Sequence, residues 1–194
     1  NIEKYIPYLD LDEIKSLSKI YDIPIYLYYE GHDGVVHKSN NILRKKRIIK
    51  MIQNLLNGKQ NKKIIIGINN VNFEKKESYD INDKIYFGQY RHHILKPVMD
   101  LYLIDKKYEA CIGYILLYKL WEKNKTPTVK QFIKIYHKYY DELKNTKHPE
   151  WAYVTDKGVV PEKYSSIFKS WKAYRKEIGK NVIKYISSAI KTNN

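Results

Sequence analysis

The chain has 194 residues, of which 43% are hydrophobic and 14% aromatic, and its formal net charge at pH 7 is +15. This apolar fraction suffices to build a core, so the composition excludes a wholly disordered chain. We find no run of 18 apolar residues and no leader of the charged-then-apolar kind, so we expect neither a membrane span nor a signal peptide. The single cysteine, Cys111, excludes an internal disulfide and a cysteine-based zinc finger. It is compatible with a reducing compartment such as the nucleus, a cytoplasmic viral factory or a virion.

The positive charge is concentrated in two blocks of the sequence. Residues 34–73 contain 9 basic and no acidic side chains, and residues 163–194 contain 8 basic side chains and one acid, Glu177. Residues 1–33, by contrast, carry 3 basic and 7 acidic side chains. Blocks of one sign attract polyanions, so we expect a nucleic-acid partner, with duplex DNA first. A solvated lysine-rich surface is the alternative. We do not expect an anionic membrane surface as the partner, because no basic amphipathic helix is also strongly apolar and tipped with Trp or Phe at the chain end. The AT-rich codons of Lys, Asn, Ile and Tyr fit a large DNA virus or a phage as the source.

The N-terminal segment predicts a helix followed by an extended stretch. The helix is expected over residues 10–21, because Leu11, Ile14 and Leu17 form a face and Asp10 or Asp12 can cap it. The Asp-Ile-Pro sequence at 22–24 ends it, since a residue before proline avoids the α region. The following residues, 25–29, have strand propensity and lead into a glycine-containing turn.

A second helix is predicted over residues 42–57. Its apolar stripe consists of Leu43, Ile48, Ile49, Ile52, Leu55 and Leu56. A polar, basic linker follows at 59–63, where we place a module boundary, and 64–68 form a short apolar strand candidate. The sequence therefore predicts a module over 1–60 and a helical domain over 61–194.

The C-terminal domain is expected to be helical, and the fold as a whole mainly α. Its helices are predicted over 94–104, 109–123, 127–143 and 162–190, with loops between them. Thr126 and Pro127 are expected to occupy the N-cap and first position of the third of these helices, and Gly179 is a candidate break in the last. Cys111 and Trp121 lie in the most apolar helix, so we predict that both are buried in the core.

The order of elements in residues 10–57 resembles a known DNA-binding motif. The first helix reads Leu11-Asp-Glu-Ile-Lys-Ser-Leu-Ser-Lys-Ile-Tyr-Asp-Ile-Pro24, and the second reads Leu43-Arg-Lys-Lys-Arg-Ile-Ile-Lys-Met-Ile-Gln-Asn-Leu-Leu56. This arrangement is similar to the SAP motif, a helix–extended-loop–helix module with a Gly-Leu-Pro turn and a basic start to its second helix. Asp22 stands at the glycine of that turn, and about 17 residues replace the short loop of the family, with room for a β-hairpin.

The resemblance implies binding to duplex DNA by backbone and minor-groove contacts, often at AT-rich tracts. It places the contacts at the basic start of the second helix, at Arg44, Lys45, Lys46 and Arg47. We expect Lys50, later on the same helix, to contact the nucleic acid as well. Elementary electrostatics points to the same place, because cations at a helix N-terminus oppose the helix dipole and a bound phosphate would relieve that conflict. An ordinary helical hairpin with a solvated basic face is the alternative.

Two further basic sets lie on predicted helices. Lys130, Lys134 and Lys138 are spaced one turn apart, which favours a steering surface over a sequence-specific reader. Lys172, Arg175 and Lys176 belong to a set completed by Lys169, Lys180 and Lys184, around aromatic residues that we expect mostly in the core. Any exposed ring beside such lysines could stack on unpaired bases.

No catalytic signature is recognisable in the sequence. Glycine-rich nucleotide loops, the nucleophile elbow and the zinc-protease helix motif are absent, and His32 and the pair His92-His93 lack further ligands at metal spacing. The nuclease-like Glu13-x-Lys15 string lies in a predicted helix rather than on a strand. We therefore expect a DNA-binding protein of architectural or regulatory kind, without enzymatic activity, cofactor or metal. The alternatives are a nuclease or nucleic-acid-modifying subunit, and a structural, virion-assembly or protein-interaction component.

Overall fold

A computed structural model of the chain describes residues 1–145 and 158–193. The α-helices are α1 Leu11–Tyr21, α2 Lys45–Leu56, α3 His92–Tyr102, α4 Ala110–Glu122, α5 Val129–Asn145 and α6 Trp171–Asn193. The strands are β1 Tyr26–Glu30, β2 Val36–Ile42 and β3 Ile64–Ile66. Short 3-10 helices cover Ile2–Tyr8, Ile68–Asn70 and Glu162–Tyr164.

The fold is an α/β mix, so the mainly α class expected from the sequence is wrong. The three strands form a mixed sheet in the order β2–β1–β3. β1 and β3 pair in parallel, with Leu27 opposite Ile64 and Tyr29 opposite Ile66. β2 carries no regular alternation of apolar and polar side chains, so periodicity alone does not reveal it. Its backbone pairing with β1 extends through Ile42, and α2 therefore begins three residues later than predicted.

Contacts between residues divide the chain into two units. Unit 1 contains Asn1–Tyr26, Asn40–Lys63 and the described residues 158–193, whereas unit 2 contains Leu27–Ser39 and the described residues 64–145. Each unit is therefore assembled from segments that are distant in sequence. The boundary at residue 60 concerns which parts of the chain fold independently, and it stays a prediction.

Unit 1 is built from α1, α2, α6 and the N-terminal 3-10 helix. Its buried side chains include Ile6, Ile14, Leu17, Leu43, Ile48, Ile52, Val182 and Ile186. α1 begins at a capping box, in which the Asp10 carboxylate accepts from the Glu13 backbone N–H and the Glu13 carboxylate accepts from that of Asp10. Asp22 ends α1 with a left-handed backbone, φ 51°.

α6 begins later than the predicted final helix and is continuous through Gly179. This glycine is buried against the carboxylate of Glu13, so its small size serves close packing, and the predicted break there is wrong. The residues 162–164 form a separate 3-10 turn ahead of α6. Most of the loop predicted between the helices at 127–143 and 162–190 lies outside the described residues.

Unit 2 has an aromatic core around α3, α4 and α5. Buried rings include Phe87, Tyr90, Tyr108, Trp121, Phe132 and Tyr136. Trp121 is 2% exposed and its indole N–H donates to the carbonyl of Ile85 at 3.0 Å, which confirms its predicted place in the core. Cys111 is exposed, and its predicted burial is wrong because α4 buries one face, on which Ile112, Leu116 and Leu117 lie.

The start of α5 also differs from the prediction. Thr128, not Thr126, caps the helix, since its hydroxyl accepts from the Gln131 N–H at 3.2 Å while the Gln131 side chain accepts from the Thr128 N–H at 2.9 Å. Residues 126–128 are held outside the helix because the Ile85 N–H donates to the carbonyl of Pro127. Tertiary pairing thus delays the helix by two residues.

Candidate nucleic-acid interface

Most of the net charge belongs to unit 1. Its described residues contain 19 basic and 7 acidic side chains, a net charge of +12. The described residues of unit 2 contain 15 basic and 12 acidic side chains, a net charge of +3. The two basic blocks of the sequence therefore meet in one folded unit, which concentrates their potential.

On α2, the predicted basic start divides into buried and exposed positions. Lys46, Arg47 and Lys50 are exposed, whereas Lys45 is only 5% exposed and lies on the buried face with Ile48 and Ile52. Arg44 is the N-cap residue and is partly buried. Within the described part of the chain no side chain caps this helix, and its first turn contains no acid. The exposed cations at 46, 47 and 50 therefore define the α2 face of the candidate interface.

The outer surface of α6 carries a row of lysines. Lys172, Lys176, Lys180 and Lys184 are all exposed and follow one another at four-residue spacing, about 6 Å per step along the helix axis. Like charges at this spacing repel each other and weaken an isolated helix. Their opposite face, which includes Tyr174, Val182 and Ile186, is buried in unit 1. A polyanion lying along the row would relieve the repulsion.

Arg175, which the sequence places in the same basic set, has a structural position instead. Its side chain is 8% exposed, and its guanidinium donates to Glu13 at 2.6 Å and to Asp10 at 3.0 Å. It also donates to the backbone carbonyl of Tyr8 at 3.0 Å. Because Arg175 is turned inward and committed to two carboxylates, we do not include it in the candidate interface.

Lys130, Lys134 and Lys138 are exposed on α5, but they belong to unit 2. The Lys138 ammonium lies 5.2 Å from the centre of its neighbouring ring, Tyr139. Acidic side chains at Asp141 and Glu142 follow on the same helix and are also exposed. This set is therefore less basic in its surroundings than the faces of α2 and α6, and it supplies a control surface with the same side-chain chemistry.

The metal-binding candidates of the sequence do not assemble in the described part of the chain. Within residues 1–145 and 158–193 no group of three His, Cys, Asp or Glu side chains could hold a metal ion. Glu13 of the nuclease-like string lies on α1 and bonds Arg175. The His92 ring stacks on Tyr108 with centroids 5.3 Å apart, and burial, with the nearby Lys96 ammonium, lowers its pKa.

The inward role of Arg175 is not recognisable in the sequence. Asp10 and Glu13 stand at capping spacing, but nothing local shows that both carboxylates face a side chain 162 or more positions away. Three exposed lysines after α2 are also not among the predicted contacts, namely Lys59, Lys62 and Lys63. The feature of the sequence that could have indicated these three lysines is the acid-free block at 34–73, in which no acidic side chain is present to balance their charge.

Comparison with protein-family models, with curated proteins and with solved structures finds no match for this chain. Among the helices that the structure describes, none has the length and apolar character needed to cross a membrane.

Proposed function

We propose that the protein is a non-enzymatic DNA-binding protein that contacts the phosphate backbone of duplex DNA through the exposed basic faces of α2 and α6. The observation that carries this proposal is the net charge of +12 on the described part of unit 1. Seven exposed cations supply the candidate contacts: Lys46, Arg47, Lys50, Lys172, Lys176, Lys180 and Lys184.

The chemistry of these side chains supports contact with phosphate rather than reading of bases. Six of the seven are lysines, whose ammonium is a flexible point charge, whereas bidentate recognition of guanine depends chiefly on arginine. Phosphate contacts set affinity and orientation without carrying sequence information. Binding of this kind suits an architectural or regulatory protein with weak sequence preference.

The likeness of residues 10–57 to SAP modules is consistent with this proposal and stays a prediction. It assigns the principal contacts to the start of α2, at Lys46 and Arg47. Exposed lysines on α6 lie outside the region that resembles the motif. If both faces bind, the interface is larger than a SAP module alone would supply.

The decisive experiment compares three variants in binding to a short duplex, measured by fluorescence anisotropy over a range of NaCl concentrations. The first changes Lys46, Arg47 and Lys50 to Gln, and the second changes the four α6 lysines to Gln. The matched control changes Lys130, Lys134 and Lys138 to Gln, which removes as much charge as the first variant but from unit 2. Thermal melts establish that each variant is folded.

We expect the first two variants to bind duplex more weakly than the control and to show a smaller salt dependence. The slope of log affinity against log salt should fall in magnitude by about 0.9 for each phosphate that the variant no longer neutralises. If the α5 control loses as much duplex affinity as the first two variants, the loss reflects only the lower net charge. That result would contradict the proposed binding faces. If the wild-type protein cleaves the duplex when Mg²⁺ is added, the protein is instead a nuclease. If it does not bind duplex at low salt, an assembly or protein-interaction component is favoured.

A further inference from the structure

Three aromatic rings form a continuous strip on unit 2, outside the basic faces described above. The Tyr29 ring lies in the middle, with its centre 5.4 Å from that of His37 and 5.0 Å from that of Phe73. Phe73 is 58% exposed, the His37 side chain is 39% exposed, and Tyr29 is partly buried. The Phe73 and His37 rings therefore offer surface to a ligand from solvent, whereas Tyr29 lies between them and supports both.

The strip is held in place from below. Phe87 is 2% exposed, and its ring centre lies 6.0 Å from that of Tyr29 and 6.4 Å from that of Phe73. It also lies 5.5 Å from the ring centre of Trp121 in the core. The exposed rings are thus anchored on the aromatic core of unit 2. A rigid platform loses little conformational entropy when a ligand binds.

Backbone geometry makes room for the outer rings of the strip. Gly88 has φ +91°, and a Cβ there would lie 2.7 Å from two carbons of the Phe73 ring. A Cβ on Gly31 would lie 2.9 Å from the His37 ring. Both glycines therefore allow a ring to lie directly against the main chain. The His37 imidazole is also oriented by Asp33, whose carboxylate lies 2.8 Å from Nε2.

A cleft of about 340 Å³ opens beside Phe73, and its charged lining is mainly basic. Lys75, Lys76 and Arg91 contribute cations, against the acid Glu74. Lys76 is engaged by Asp83 at 3.2 Å. Arg91 is anchored through Nη1, which donates to the backbone carbonyls of residues 88 and 90 at 3.2 and 2.8 Å. Two exposed cations, Lys75 and Arg91, thus stand next to the exposed Phe73 ring.

We propose that this strip and cleft bind single-stranded nucleic acid, with unpaired bases stacked on Phe73 and His37, which Tyr29 supports from between them, and a phosphate held by Lys75 and Arg91. An aromatic platform beside cations is the combination that sequence-tolerant single-strand binders use, because every base has a π-face and every nucleotide a charge. Paired bases inside a duplex present no free face, so this site and the duplex-binding faces of unit 1 take different ligands. An acidic peptide would satisfy the cations but would leave the exposed rings without a partner.

The test uses two oligonucleotides of equal length and charge, oligothymidine and its fully abasic counterpart, with binding followed by fluorescence anisotropy. We expect the wild-type protein to bind oligothymidine more tightly than the abasic strand. Phe73→Ala should weaken oligothymidine binding by about 5- to 150-fold, the range expected from loss of one base–aromatic stack, and should leave abasic-strand and duplex binding unchanged. The control Leu101→Ala changes a 73% exposed apolar residue elsewhere in unit 2. It should change the affinity for neither oligothymidine nor the abasic strand.

A second measurement keeps the proposal testable if a variant is unstable. Photocrosslinking with an iodouracil-substituted strand, followed by mass spectrometry of the wild-type protein, should place adducts on Phe73, Tyr29 or His37. Equal affinity of the wild-type protein for the two strands would overturn the proposal, as would adducts confined to other residues. Because the duplex assay tests α2 and α6 independently, failure of either proposal can be told from failure of the other.

Discussion

Replacing Arg175 by methionine removes the cation that joins α6 to the start of α1. The wild-type guanidinium donates to Glu13, Asp10 and the Tyr8 carbonyl, at 2.6 to 3.0 Å, and its side chain is 8% exposed. Methionine fills a similar volume without charge, so the variant tests the ion pairs more than the packing. The carboxylates left behind are 33% and 16% exposed, for Asp10 and Glu13 respectively.

The expected decrease in stability is about 3 kcal/mol. Removing one partner of a buried ion pair generally destabilises by ~3–5 kcal/mol, since the remaining charge is then uncompensated. Partial exposure lets water solvate the remaining carboxylates, which places the value at the lower end of that range. For a protein of this length a destabilisation of about 3 kcal/mol corresponds to a decrease in Tm of about 6–12 °C.

Thermal and urea unfolding followed by circular dichroism measure this effect. Lys176→Met is the matched control, because it removes the neighbouring cation from an exposed position and should change stability little. Adding Asp10→Asn and Glu13→Gln to the Arg175 variant should restore part of the stability, since neutral amides remain able to cap α1. An Arg175→Met protein that melts like the Lys176→Met control would show that the ion pairs of Arg175 do not stabilise the fold. If it also bound duplex more weakly, Arg175 would belong to the interface instead.

Two further predictions concern unit 2. Burial raises the pKa of Tyr79 and Tyr118 to about 12. It also raises the pKa of three further tyrosines, Tyr90, Tyr108 and Tyr136. The unfolded chain therefore loses these protons first, near pH 10, so stability should fall as pH rises above 10, by about 1 kcal/mol per tyrosine at pH 11. Urea unfolding at pH 9 and pH 11 measures this loss of stability, and tyrosinate absorbance recorded in parallel follows the loss of the phenol protons. Equal stability at the two pH values would contradict the burial of these phenols. Trp121→Ala should destabilise the protein by ~3–5 kcal/mol, because it empties a core position and removes the bond to the Ile85 carbonyl; a variant with wild-type stability would show that the ring is not part of the core.

Local chemistry determined much of what the sequence alone could predict. The aspartate cap and the proline at 24 delimit α1, and the period of apolar residues locates α2, α4 and α5 to within a few positions. These signals succeed because capping, the restriction before proline and helical periodicity act between residues that are close in the chain. The acid-free block and the lysine-rich C-terminal segment are likewise read directly from composition.

Tertiary structure decided which of these segments lie together and which side chains turn inward. Two cations of the predicted interface, Lys45 and Arg175, are buried, and in the second case the partners lie more than 160 positions away. The aromatic strip joins Tyr29, His37 and Phe73 because β1 pairs with both β2 and β3 and because Val71 bridges to Phe87. Such pairings bring together residues that share no local pattern, because they depend on backbone hydrogen bonds and core packing formed across the whole unit. The concentration of charge in unit 1 arises in the same way, because its basic segments are far apart in the sequence but lie in one unit of the fold.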